Sequence, residues 1–62
     1  MFVLRQVGAN AFVKNLPHDY ADENFVQGWE NTSQALQFET EEDARSAIAS
    51  DPDGDSLLVE EL

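Results

Sequence analysis

Asp51, Asp53 and Asp55 stand at alternate positions in DPDGDSLLVEEL (51–62), the one spacing in this chain that could hold a hard cation. An EF-hand loop takes oxygen ligands from positions 1, 3, 5, 7, 9 and 12, with glycine at 6 and a bidentate glutamate at 12. The three aspartates fit the first three places, Leu58 fits the aliphatic eighth, and a helix over residues 41–50 would stand where the entering helix belongs. The remaining places do not fit. Ser56 replaces the glycine, Pro52 sits at the second place, and Leu62 replaces the glutamate that would supply two oxygens. Affinity for calcium would then be about millimolar at best. A plain turn accounts for the same letters: proline presets φ, Asp-Gly supports the reversal, and the acids solvate it. We therefore expect no metal and no cofactor.

Other chemistry has few residues to draw on. Acid–base and nucleophilic catalysis need a positioned pair in a concave site. The chain has one histidine, His18, which follows a proline and reads as a loop residue, and it has no cysteine. It also lacks a Gly-rich phosphate loop and paired histidines at metal spacing. A fold of this length is hard pressed to enclose a pocket of about 300 Å³. The expectation is a protein that is not an enzyme.

Charge is the outlying property. Thirteen acids face three basic residues, a formal net of −10, beyond the magnitude of about 2–8 that suits a small domain's solubility. The distribution is uneven: residues 1–18 carry a net of +2 from Arg5 and Lys14, and residues 19–62 carry −12. Such self-repulsion works against a compact state. The 42% hydrophobic content is patterned, however, which places the chain among folded domains and not among disordered acidic tails.

The elements that must position these charges can be read in order. FVLRQV (2–7) and AFVKNL (11–16) are β-prone runs joined by GAN, a connection that suits a β-hairpin with a bulged turn. Period-two alternation puts Phe2 and Leu4 on one face and Val3, Arg5 and Val7 on the other. In the second run it puts Phe12 and Leu16 on a face with Lys14. The two basic heads then reach out to water from apolar surroundings. Pro17 ends the second strand, and HDYADEN (18–24) reads as a loop with room for one helical turn. FVQGWE (25–30) reads as a third strand with Phe25 and Trp29 on one side and a bulge at Gly28. NTSQAL (31–36) has room for about one helical turn.

TEEDARSAIAS (40–50) carries the clearest local signal. Thr40 can cap the helix start, with Asp43 in the place of the capping-box glutamate. Glu41, Glu42 and Asp43 fill the first turn, where the dipole favours negative charge. Ala44, Ala47 and Ile48 form a narrow apolar stripe, Asp51-Pro52 stops the helix, and SLLVEEL (56–62) is a last strand. The expected architecture is α+β: one compact domain over residues 1–62, with a small, mainly antiparallel sheet of three to four strands and one helix (about 41–50) packed on it. Core formation at this length buries only about 60% of the chain's surface, so Phe2, Phe12, Phe25, Trp29 and Phe38 are all expected in it. No apolar run approaches the ~20 residues of a membrane span, and no signal peptide is read at the start. The expectation is a soluble, intracellular protein.

Direct nucleic-acid binding is disfavoured, because phosphates would repel this chain. The inverse is attractive: a dense acidic surface can occupy a basic groove that otherwise holds DNA. Glu39, Glu41, Glu42 and Asp43 cluster at the helix start, Asp51, Asp53 and Asp55 at its exit, and Glu60 and Glu61 on the last strand. If the exit loop is extended, its aspartates lie roughly 6.6 Å apart, similar to successive phosphates on one strand. Tyr20, in the acidic loop, is the candidate aromatic anchor of such an interface. These ten residues form the expected partner-binding set.

GWENTSQALQFETEEDARSAIA (28–49) resembles a pattern found in short phage and bacterial reading frames, carried by Trp29, Ala35, Phe38, Thr40, Ala44, Ala47 and Ile48. It covers about a third of the chain and implies a small sheet-plus-helix module. The whole profile (small, cysteine-free and strongly acidic) is similar to phage-encoded anti-CRISPR proteins. That resemblance implies an inhibitor that imitates DNA and blocks the DNA-binding surface of a Cas complex, type I in the reading favoured here. The alternative is a generic protein-interaction or phage accessory module without DNA mimicry.

Overall fold

The computed structural model describes residues 1–17 and 21–62. The expectations for His18 and Tyr20 lie outside the described residues. Four strands, β1 (Phe2–Gln6), β2 (Ala11–Val13), β3 (Phe25–Gln27) and β4 (Leu57–Glu61), form one sheet in the order β3-β2-β1-β4. Every neighbouring pair in it is antiparallel. The helix α1 (Glu41–Ser50) packs on one face, as the α+β reading expects. Three 3-10 turns, Asp22–Asn24, Trp29–Gln34 and Gly54–Ser56, complete the described chain. No helix among the described residues is long and apolar enough to cross a membrane.

Adjacent apolar residues explain the layering. Val3 and Leu4, and likewise Phe12 and Val13, are neighbours in sequence and all fully buried. Strand geometry points neighbours to opposite faces, so both faces of the sheet must be covered. Leu4, Val13 and Leu57 pack with Ala44 of α1, with Ala47 and Ile48 against them. Val3, Phe12 and Val26 form a second core with Ala35 on the opposite face, beneath the 3-10 turn Trp29–Gln34. A ten-residue helix is marginal alone. Its apolar stripe holds it on the sheet, and its start is capped, since the Asp43 N–H donates to the Thr40 hydroxyl oxygen at 3.1 Å.

Several local expectations are corrected. β2 ends at Val13, before Leu16, because its place beside β1 is taken. Phe38 exchanges two 2.8 Å backbone bonds with Phe2, and the Leu36 N–H donates to the Val13 carbonyl. Phe12 and Leu16 consequently face opposite cores, and Lys14 is exposed. The hairpin connection is one residue longer than GAN, running from Val7 to Asn10, with Gly8 at φ 79°. Gly28, at φ 92°, ends β3 and starts the Trp29–Gln34 turn where a bulge was expected. That turn carries Trp29 to the face opposite Phe25. Trp29 is 47% exposed, outside the core, and meets Phe12 in a T-shaped contact with ring centroids 5.7 Å apart. Phe2, Phe25 and Phe38 pack as half-buried residues around the α1 core.

Candidate interaction surface

The direction of α1 follows from the pairing. Phe2 bonds Phe38 on one side and pairs with Glu61 on the other. α1 therefore starts at the Phe2–Glu61 end of the sheet. It exits through residues 51–56 to Leu57, which pairs with Gln6 at the far end. The helix is antiparallel to β4, and its ten residues separate the two ends by about 15 Å.

This topology joins two of the three acidic groups read from the sequence. Phe38, Phe2 and Glu61 form one row across the sheet, so the backbones at Phe38 and Glu61 lie about 10 Å apart, two strand spacings. Glu39 follows Phe38 directly, and the first turn of α1 begins two residues later. Glu39, Glu41, Glu42, Asp43, Glu60 and Glu61 thus share one end of the molecule. Glu60 and Glu61 stand on opposite faces of β4, with Glu61 on the α1 side and Glu60 on the Arg5 side, because Glu60 pairs with Val3 and Glu61 with Phe2.

Two of these six carboxylates are neutralised internally. Arg5 Nε lies 2.6 Å from Glu60 Oε1, with both side chains about a third exposed, and Arg5 Nη1 donates to the Ala9 carbonyl at 3.3 Å. The Arg5 head therefore holds the hairpin loop to β4 and does not simply reach for water. Arg45 pairs with Glu41 at 2.6 Å across one helical turn. Glu39, Glu42, Asp43 and Glu61 form no ion pair among the described residues, and all four are exposed.

Asp51, Asp53 and Asp55 are at the opposite end, and their loop is not extended. The Asp53 N–H donates to Asp51 Oδ1 at 2.9 Å. The Gly54 N–H bonds the Asp51 carbonyl and the Ser56 N–H the Asp53 carbonyl, both at 3.1 Å. Two successive turns replace the phosphate-like alternation expected there, because the Asp51 carboxylate and the Asp51 and Asp53 carbonyls accept backbone N–H groups two or three residues on. Among the described residues, no group of three or more His, Cys, Asp or Glu side chains is placed to hold a metal ion.

A feature the sequence reading missed lies along β4. An open groove of about 440 Å³ runs between α1 and this edge strand, lined by Arg45, Ile48, Ala49, Leu57, Leu58 and Val59. The signal for it is the alternation Leu57-Leu58-Val59, which puts Leu57 and Val59 on the α1 side and turns Leu58 to the other face. It is 39% exposed. The chain matches no family model, and no curated protein or solved structure matches it.

Proposed function

We propose that this protein is a non-enzymatic inhibitor that uses its acidic surface, in the manner of a nucleic acid, to occupy a basic DNA-binding site on a host protein complex. The observation that carries the reading is the gathering of six carboxylates from three segments at the α1 start, four of them outside any described ion pair. The aspartates of the exit loop extend the anionic surface about 15 Å along the helix. A field of this kind steers a basic partner into encounter and weakens steeply with salt. A Cas effector of type I is the partner class that the anti-CRISPR resemblance implies. Bacterial cytoplasm is then the place of action.

The test is competition. Binding to an immobilised type I effector complex is measured with and without target duplex DNA. Mutual exclusion is expected, with affinity falling as salt rises. Glu39→Gln, Glu42→Gln, Asp43→Asn and Glu61→Gln combined should slow association by about tenfold or more. The combination Asp51→Asn, Asp53→Asn and Asp55→Asn measures the second end separately. Simultaneous, undisturbed binding of DNA and this protein would end the reading.

A further inference from the structure

β4 leaves the sheet's hydrogen bonding open on its outer side. The Val7 N–H donates to the Ser56 carbonyl at 2.8 Å and the Leu62 N–H to the Met1 carbonyl at 2.9 Å. Antiparallel pairs alternate between those that exchange bonds and those that do not. Along the register from Phe2↔Glu61 to Gln6↔Leu57, Leu58 and Glu60 therefore aim their backbone groups at β1. Leu57, Val59 and Glu61 aim theirs outward. The Leu57 N–H is taken by the Gly54 carbonyl, whereas Val59 and Glu61 have no outward backbone bond among the described residues. The opposite edge is shorter and partly closed: β3 has three residues, and Asn31 Nδ2 donates to the outward Gln27 carbonyl at 2.8 Å.

The open edge has two chemical halves. Leu57, Leu58 and Val59 border the groove beside α1, which Ile48, Ala49 and the Glu41-paired Arg45 line on the helix side. Glu60 and Glu61 continue into the anionic end of the molecule. We propose that β4 accepts an extended segment of a basic partner protein as a fifth strand. Its apolar side chains lie along Leu57–Val59 and the groove, and its lysine or arginine side chains lie against Glu61, the carboxylate of the strand end that Arg5 does not hold. Main-chain bonds to an exposed edge supply affinity, and alternate side chains supply selectivity. Charge selects the occupant. A second copy would bring another −10 to the same edge, and charged edge residues are a common device against self-pairing. A basic segment turns the same carboxylates into an attraction. The inference takes its basic partner from the proposed function, but it does not need that partner's site to bind DNA.

The experiment uses the purified chain and two capped hexapeptides, one lysine-rich then valine-rich and one in the reverse order, with glutamate replacing lysine in a control. Amide hydrogen exchange is read residue by residue. In the free chain, Leu58 and Glu60 should exchange slowly and Val59 and Glu61 quickly. A saturating lysine peptide should slow Val59 and Glu61 by about tenfold or more, with the glutamate control inert and added salt reversing the effect. Val59→Pro removes only an outward N–H, which an edge strand tolerates, and should abolish peptide binding while Val59→Ala retains it. If Val59→Pro does not fold, the exchange measurement on the unaltered chain decides alone. Binding without protection of Val59 and Glu61, or no binding at millimolar peptide, overturns the inference. So does protection that grows with protein concentration as a dimer forms. None of these outcomes bears on DNA competition, and simultaneous DNA binding would remove the proposed function without touching this edge.

Discussion

Gly54 to alanine is the substitution whose effect the structure specifies most sharply. Gly54 is buried, and a Cβ there would stand 2.1 Å from the Ile48 carbonyl oxygen, 3.0 Å from its carbon and 3.1 Å from Ile48 Cγ2. The obstacle is backbone at the end of α1, and that carbonyl already accepts the Asp51 N–H at 3.2 Å. Relief requires the loop to back away by roughly 1.4 Å, since unstrained contacts to carbon lie near 3.5 Å. Overpacking of this kind costs about 1–3 kcal/mol, and loosening one of the loop's backbone bonds adds about 1 kcal/mol. The sum, about 2–4 kcal/mol, rivals the whole stability of a core this small. At about 4–8 °C per kcal/mol, Tm should fall by roughly 10–30 °C. Thermal melts followed by far-UV circular dichroism and by Trp29 fluorescence provide the assay, with Gly8→Ala as the control. Gly8 has φ 79° and no heavy atom within 4 Å of its would-be Cβ, so alanine there meets only the left-handed backbone penalty of about 1–2 kcal/mol. A Gly54→Ala protein melting within about 2 °C of the unaltered chain would show that the loop does not seat on the helix end.

Three further outcomes are expected. Thr40→Ala should lower stability by about 1 kcal/mol through loss of the cap to the Asp43 N–H, and a Thr40→Ser protein that melts equally low would refute the capping role. Arg5→Gln should destabilise more than Glu60→Gln, because Arg5 bonds both Glu60 and the Ala9 carbonyl, whereas the exposed part of the ion pair is worth about 1 kcal/mol or less; urea titration of the two proteins gives the order. Sodium chloride raised from about 20 to 500 mM should increase Tm, since screening relieves more repulsion among ten excess negative charges than it removes attraction from the two ion pairs among the described residues. A Tm that falls with salt would contradict this.

The parts legible in the sequence are those decided by nearby residues. α1 spans Glu41–Ser50, the expected range, because a threonine cap, three first-turn acids and a proline after Asp51 are local signals. The strands at both ends of the chain were legible for the same reason. Trp29 was not. Its face depends on a 3-10 turn that begins at Gly28, and the alternation assumed through FVQGWE fails there. The length of β2 was hidden as well, because Phe38, 25 residues after Val13, takes the place beside Phe2. The loop aspartates misled in a different way. Their alternation in the sequence becomes spatial alternation only in an extended chain, and the bonds to the Asp51 carboxylate and to the Asp51 and Asp53 carbonyls folded it.

Composition alone settled that this chain carries a large negative charge, and short-range capping and patterning settled that a helix and a sheet would carry it. Where the charges meet was decided only by long-range pairing. Glu39 and Glu61 come to one end because Phe2 bonds Phe38 on one side and pairs with Glu61 on the other. A strand's partners are set by burial of both sheet faces, summed over the whole fold. Charge is a property of each residue, but an electrostatic surface is a property of their arrangement.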